Sequence, residues 1–202
     1  MKKTTPLFGA LMSAMISLSF TAGAAEIGEE APAFTLKNTE GEDVSLADHK
    51  GKIVVLEWIN YECPFVKKHY ASGNMPMLQG KYDAGEVVWL VINSAAEGKQ
   101  GYLEPADLQA RSDKEGSKAD AILTDSDGKV GKAYGATHTP HMFVIDKEGM
   151  LVYSGAIDSK NTTDQADIES ADNYVVMALD AVMAGKEVEK AKTKAYGCDV
   201  KY

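Results

Sequence analysis

The sequence predicts an α/β sandwich built on a central mixed β-sheet, opened by an N-terminal β-hairpin. Two nearly continuous apolar runs carry the first part of that prediction. Ile53–Trp58 (IVVLEW) and Glu86–Ile92 (EVVWLVI) read as strands covered on both faces, the pattern of parallel central strands. Segments with helical start signals alternate with them. Two further runs, Met142–Ile145 and Leu151–Ser154, are joined by Asp146-Lys147-Glu148-Gly149, a turn sequence that closes a hairpin. Alternation followed by an antiparallel pair gives a mixed sheet between helices.

The first 25 residues are set aside as a secretory leader. Lys2 and Lys3 precede an apolar run of 14 residues, Leu7–Phe20, and Ala22-Gly23-Ala24-Ala25 offers a small-residue cleavage pattern. That run is too short to span a bilayer core of about 30 Å, and no later stretch is long enough. A periplasmic or secreted protein is expected, with no membrane insertion once the leader is removed.

The remaining elements follow in order. Ala33–Leu36 and Val44–Leu46 flank a turn-like stretch at Thr39–Asp43 and read as the hairpin. After the Ile53–Trp58 strand, Pro64–Tyr70 reads as a short helix, with Pro favoured at the first helical position. Gly73-Asn74 interrupts it, and Pro76 restarts a helix to about Tyr82. Glu104–Glu115 is an amphipathic helix, Ala121–Leu123 a short strand and Gly128–Tyr134 a short helix. Asn173–Ala184 repeats apolar residues at helical spacing and stops at Gly185, a C-cap position. Residues 26–185 form one domain, and 186–202 are a tail without period that could lie over it.

Without the leader the chain carries 19 basic and 30 acidic residues (21 − 2 = 19), a net charge of −11. Such a balance argues against a nucleic-acid or anionic-membrane partner. Two cysteines are present, Cys63 and Cys198, and export to an oxidising compartment makes a disulfide between them reasonable.

Cys63 follows a buried strand at the start of a helix. Unpaired N–H groups and the helix dipole there favour a thiolate, and Lys67 on the same helical face adds positive charge while Glu62 opposes it. Three roles are open to Cys198: resolving an oxidised Cys63, holding a permanent disulfide, or standing unpaired. Asp125-Ser126-Asp127-Gly128 lacks the later ligands of a calcium loop and reads as a turn. His138 and His141 bracket Pro140, but no paired-ligand spacing supports a metal there; His49 and His69 are weaker candidates, and no metal or other cofactor is expected.

The stretch Val54–Val66 (VVLEWINYECPFV), the pair Thr139-Pro140 before a strand, and the ending Tyr196–Tyr202 (YGCDVKY) resemble the thioredoxin superfamily, in its redoxin or peroxiredoxin-like (alkyl hydroperoxide reductase/thiol-specific antioxidant) branch. The resemblance covers Ile27 to Tyr202. It implies a thioredoxin-like three-layer sandwich, Cys63 as the reactive thiol and Thr139-Pro140 as the cis-proline loop beside it. It also implies Glu57 as a buried proton-relaying acid, and the Thr139 backbone as the edge that holds an extended substrate segment. Trp58 is expected with Thr139 and Pro140 as a substrate contact, although a strand tryptophan more often belongs to the core than to a cofactor platform.

Three positions depart from the family patterns. Val66 stands where thioredoxins carry their second cysteine. Asn60 stands where peroxiredoxins place the Thr or Ser that helps bind peroxide, its amide still able to bond an oxygen, and Leu56 stands where they place a Pro. Two activities of one class are therefore expected of Cys63, peroxide reduction and exchange with protein disulfides. Cys198 or an external thiol reductant would regenerate it. The alternative from another class is a non-catalytic binding platform for a metal or a protein.

Overall fold

The computed structural model describes residues 24–82 and 85–202. The expected leader lies outside the described residues, apart from Ala24 and Ala25; the Ala25 N–H donates to Ala133 O.

A seven-stranded mixed sheet runs through the molecule in the order β2-β1-β5-β4-β3-β7-β8. Its strands are β1 (Thr35–Asn38), β2 (Asp43–Ser45), β3 (Ile53–Trp58), β4 (Val87–Asn93), β5 (Ala121–Thr124), β7 (His141–Ile145) and β8 (Leu151–Gly155). The centre, β5-β4-β3, is parallel, as its unbroken apolar runs require. The β7–β8 hairpin adds antiparallel to β3, pairing Leu56 with Phe143 and Trp58 with His141. The N-terminal hairpin joins the same sheet through β1 and β5. The short β5 strand is therefore what welds the hairpin to the centre.

Both faces of the sheet are covered. Helices α1 (Pro64–Ala71), α2 (Asn74–Lys81), α3 (Pro105–Lys114) and α5 (Tyr174–Met183) bury one face through Val66, Tyr70, Met75, Leu78, Leu108 and Leu179. On the other face α4 (Lys129–Tyr134) and the N-terminal segments pack around Trp58, Tyr134 and Phe143, whose rings meet edge-on or tilted. Period-2 alternation along β3 sorts the residues. Val55 and Glu57 point to the first layer, Val54, Leu56 and Trp58 to the second.

Two short strands, β6 (His138–Thr139) and β9 (Cys198–Asp199), form a separate antiparallel pair with His138 opposite Asp199 and Thr139 opposite Cys198. Residues 186–202 are thus stitched into the domain. Ser154 N–H donates to Ala191 O, Val200 N–H to Thr137 O, and Ala96 N–H to Lys201 O. Tyr202 donates to Ala136 O at 2.6 Å, its ring lying where a side chain on Gly128 or Gly131 would sit.

Candidate active site

Cys63 is the N-cap of α1, in the extended conformation that lets the chain leave β3 and enter the helix. Its N–H donates to Asn60 O, and its carbonyl accepts from Lys67 N–H. The side chain is 0% exposed. Its thiol donates to Thr139 O at 3.0 Å, just before the Thr139–Pro140 peptide, which is cis.

Cys198 faces this thiol from β9, partly exposed, and both cysteines are reduced. Burial pushes the Cys63 thiol up, but hydrogen bonds from the Cys198 thiol and from the Val66 and Cys198 N–H groups outweigh it. The Cys63 thiol therefore ionises below its ordinary range. Cys198 moves the opposite way, pushed up to about 12 by burial and by the charge and hydrogen bond of Cys63. The two shifts run in opposite directions, so Cys63 is the more readily ionised thiol of the pair and Cys198 the one that keeps its proton.

Lys67 does not supply the expected charge. Its ammonium lies 3.0 Å from Glu62, which also holds Arg111, and Arg111 in turn pairs with Glu115 at 2.8 Å, so two basic and two acidic side chains balance one another beside the site. Asn60 braces the loop. Its carbonyl oxygen accepts from Glu62 N–H, its amide donates to Gln100, and a side chain on Gly101 would collide with it.

Glu57 lies below the site in the first layer, fully buried. It accepts from Trp89 Nε1 at 2.7 Å, Tyr70 OH at 3.0 Å and Gln79 Nε2 at 3.2 Å. Burial raises its carboxyl to about 7, with the three donors pulling the other way.

The surface around the cysteines differs from two expectations. Trp58, expected beside the substrate, is not exposed: it is fully buried in the layer opposite Glu57, and its indole donates to Ser94 Oγ at 2.9 Å. Nor is the Thr139 backbone open to an extended substrate segment, because the chain's own β9 occupies that edge. Gly197 makes this approach possible. Its φ is +122°, and a Cβ there would lie 2.1 Å from Thr139 O.

His141 is buried beside Phe143 and accepts from Thr137 N–H; burial takes its imidazole down to about 3. His138 bonds Thr137 Oγ1. Among the described residues no group of three or more His, Cys, Asp or Glu converges as a metal site, and no helix is long and apolar enough to cross a membrane.

Sequence reasoning passed over a second buried polar group beside the tail, made by Lys68, His69, Asp158 and Tyr196. A signal for part of it was present. Val66, His69 and Tyr70 stand at i, i+3 and i+4, which puts His69 on the inward face of α1.

Two apposed thiols at a helix start, against a cis-proline loop on this sheet, define a thioredoxin-fold thiol oxidoreductase, and relatives in sequence carry such names. Residues 27–154, more than half of the chain, match the AhpC/TSA family, and the chain belongs to that family. It is 28% identical over 127 residues to the thiol-disulfide oxidoreductase ResA of Bacillus thuringiensis subsp. konkukian, covering 63% of this chain and 68% of that protein. A Coxiella burnetii protein named as a peroxiredoxin is 32% identical over 132 residues, covering 62% and 85%. Among solved structures, an uncharacterized conserved protein from Geobacillus kaustophilus superposes with a TM-score of 0.72 at 27% identity, over 88% of this chain and 92% of that one.

Proposed function

We propose that this chain is an exported dithiol protein that reduces hydroperoxides through a Cys63–Cys198 disulfide. The observation that carries the reading is the apposition of a fully buried Cys63 with Cys198 on a strand that covers the Thr139 edge. A small oxidant suits a thiol so enclosed better than a protein segment does.

In the first step the Cys63 thiolate attacks the outer peroxide oxygen and the O–O bond breaks. The alkoxide leaves and takes a proton, and Cys63 becomes a sulfenic acid. Loss of the Cys63 charge removes part of what holds Cys198 protonated. Cys198 then gives up its proton and attacks the Cys63 sulfur. The S–O bond breaks, water leaves with that proton, and a disulfide forms. Two equivalents of an external thiol return two electrons and two protons.

Disulfide exchange is the second reading, favoured by the relatives named thiol-disulfide oxidoreductases. A direct test measures oxidation of the reduced protein by hydrogen peroxide, cumene hydroperoxide, glutathione disulfide and a disulfide-bonded protein at equal concentrations. Faster closure of Cys63–Cys198 by the hydroperoxides supports the proposal. Faster closure by the disulfides replaces it with the second reading.

A further inference from the structure

We infer that Tyr196 is a positioning residue: its hydroxyl, seated in a buried socket of Lys68, His69 and Asp158, sets Cys198 against Cys63. The inference rests on the dithiol cycle above. Helix α1 carries both ends of the arrangement. Cys63 caps its start, while Lys68 and His69, both fully buried, stand in its second turn. Asp158, buried beyond β8, closes the socket. Tyr196 OH donates to Asp158 Oδ1 at 2.5 Å. Among the described residues Asp158 Oδ2 has no hydrogen-bond partner, and it faces Lys68 Nζ at 3.7 Å and His69 Nε2 at 3.8 Å. Lys68 Nζ also donates to Lys160 O at 3.1 Å.

The imidazole completes a directed chain. Burial takes His69 down to about 4, so the ring is neutral near pH 7. Asn74 Nδ2 lies 2.9 Å from His69 Nδ1, a contact that makes Nδ1 the acceptor and leaves the proton on Nε2. That nitrogen is 3.4 Å from Tyr196 OH, which in turn donates to Asp158. The tyrosine ring packs against Phe65, with centroids 5.7 Å apart.

Only Gly197 separates this anchor from Cys198, and it is pressed against Thr139 O. Tyr-Gly-Cys is therefore a short arm pinned at its hydroxyl, in contact at its glycine and carrying the thiol at its tip. Because socket and Cys63 share one helix, the arm's anchor keeps a fixed distance from the reacting sulfur. An apolar ring would fill the volume equally well. A buried ionic cluster is a costly way to fill it, and fixing a unique geometry is the use such clusters are best known for.

Tyr196→Phe removes the hydroxyl and keeps the ring. Tyr202→Phe is the control, since it removes another tail hydroxyl bond at the far end. The reduced proteins are oxidised with hydrogen peroxide in the presence of dimedone, and the disulfide is separately equilibrated with glutathione buffer. For Tyr196→Phe the Cys63–Cys198 disulfide should be about tenfold less favoured against glutathione, the scale of one hydrogen bond to a charged group. The dimedone adduct on Cys63 should rise in proportion, and Tyr202→Phe should match wild type. Gly197→Ala, which displaces the same arm through Thr139, should reproduce the shift and serves if Tyr196→Phe does not fold. Wild-type equilibrium and partition in both arm variants would overturn the assignment of Tyr196. A wild-type protein that never closes the disulfide would instead overturn the dithiol cycle, and this inference with it.

Discussion

At the residue scale, Cys63 and Glu57 were legible because each has a local signal. A cysteine between a buried strand and a proline-started helix, and an acid inside an apolar strand, are both anomalies of pattern. The electrostatic partners of Cys63 were not legible, since Cys198 and the Thr139 carbonyl reach it only through tertiary structure. The burial of Trp58 was only half legible, because a strand residue's face follows from register, which one sequence specifies weakly. Trp58→Phe should therefore leave peroxide oxidation of Cys63 within about twofold and cost stability by about 1–2 kcal/mol in urea denaturation, the scale of a lost buried hydrogen bond. Glu57 yields a titration. Trp89 Nε1 donates to its carboxylate, so Trp89 fluorescence should show a transition near pH 7 that disappears in Glu57→Gln.

At the element scale, the long strands and the helices were readable from apolar runs, proline starts and glycine stops. Strands β6 and β9 were not, because two residues carry no period, and β9 exists only through pairing with Thr139. The tail's attachment was equally hidden, depending on backbone bonds to Thr137 and Ala96 and on the Tyr202 hydroxyl. Removing residues 200–202 deletes these three hydrogen bonds and keeps both residues of β9. At about 1 kcal/mol each, the truncated protein should lose about 3 kcal/mol in urea denaturation. Its Cys63–Cys198 closure, followed by thiol counting after peroxide, should slow as β9 loosens.

At the scale of the whole molecule, three buried groups set an acid limit with opposing signs. His69 and His141 are held neutral, at about 4 and about 3, below their ordinary 6.5. Their contribution is present above pH 6.5 and is lost as pH falls through those values. Between pH 7 and 5 it should decline by about 2 kcal/mol per histidine. Glu57 runs the other way. Its carboxyl is raised from 4.5 to about 7, so its protonated form favours the fold below pH 4.5 and that advantage is lost as pH rises through 7. Acidification to pH 5 should return about 2 kcal/mol through Glu57. Wild type should thus lose about 2 kcal/mol between pH 7 and 5, and Glu57→Gln about 4, both read from urea midpoints at the two pH values.

The central claim is that Cys63 and Cys198 form one redox unit. Peptide mapping of the reduced protein after one equivalent of hydrogen peroxide tests it most directly, alongside Cys63→Ser and Cys198→Ser. Wild type should form a Cys63–Cys198 disulfide that opens with dithiothreitol. Cys198→Ser should carry a Cys63 sulfenate, and Cys63→Ser an unreacted Cys198. Persistent free thiols in wild type, or overoxidised Cys63 beside a free Cys198, would contradict it.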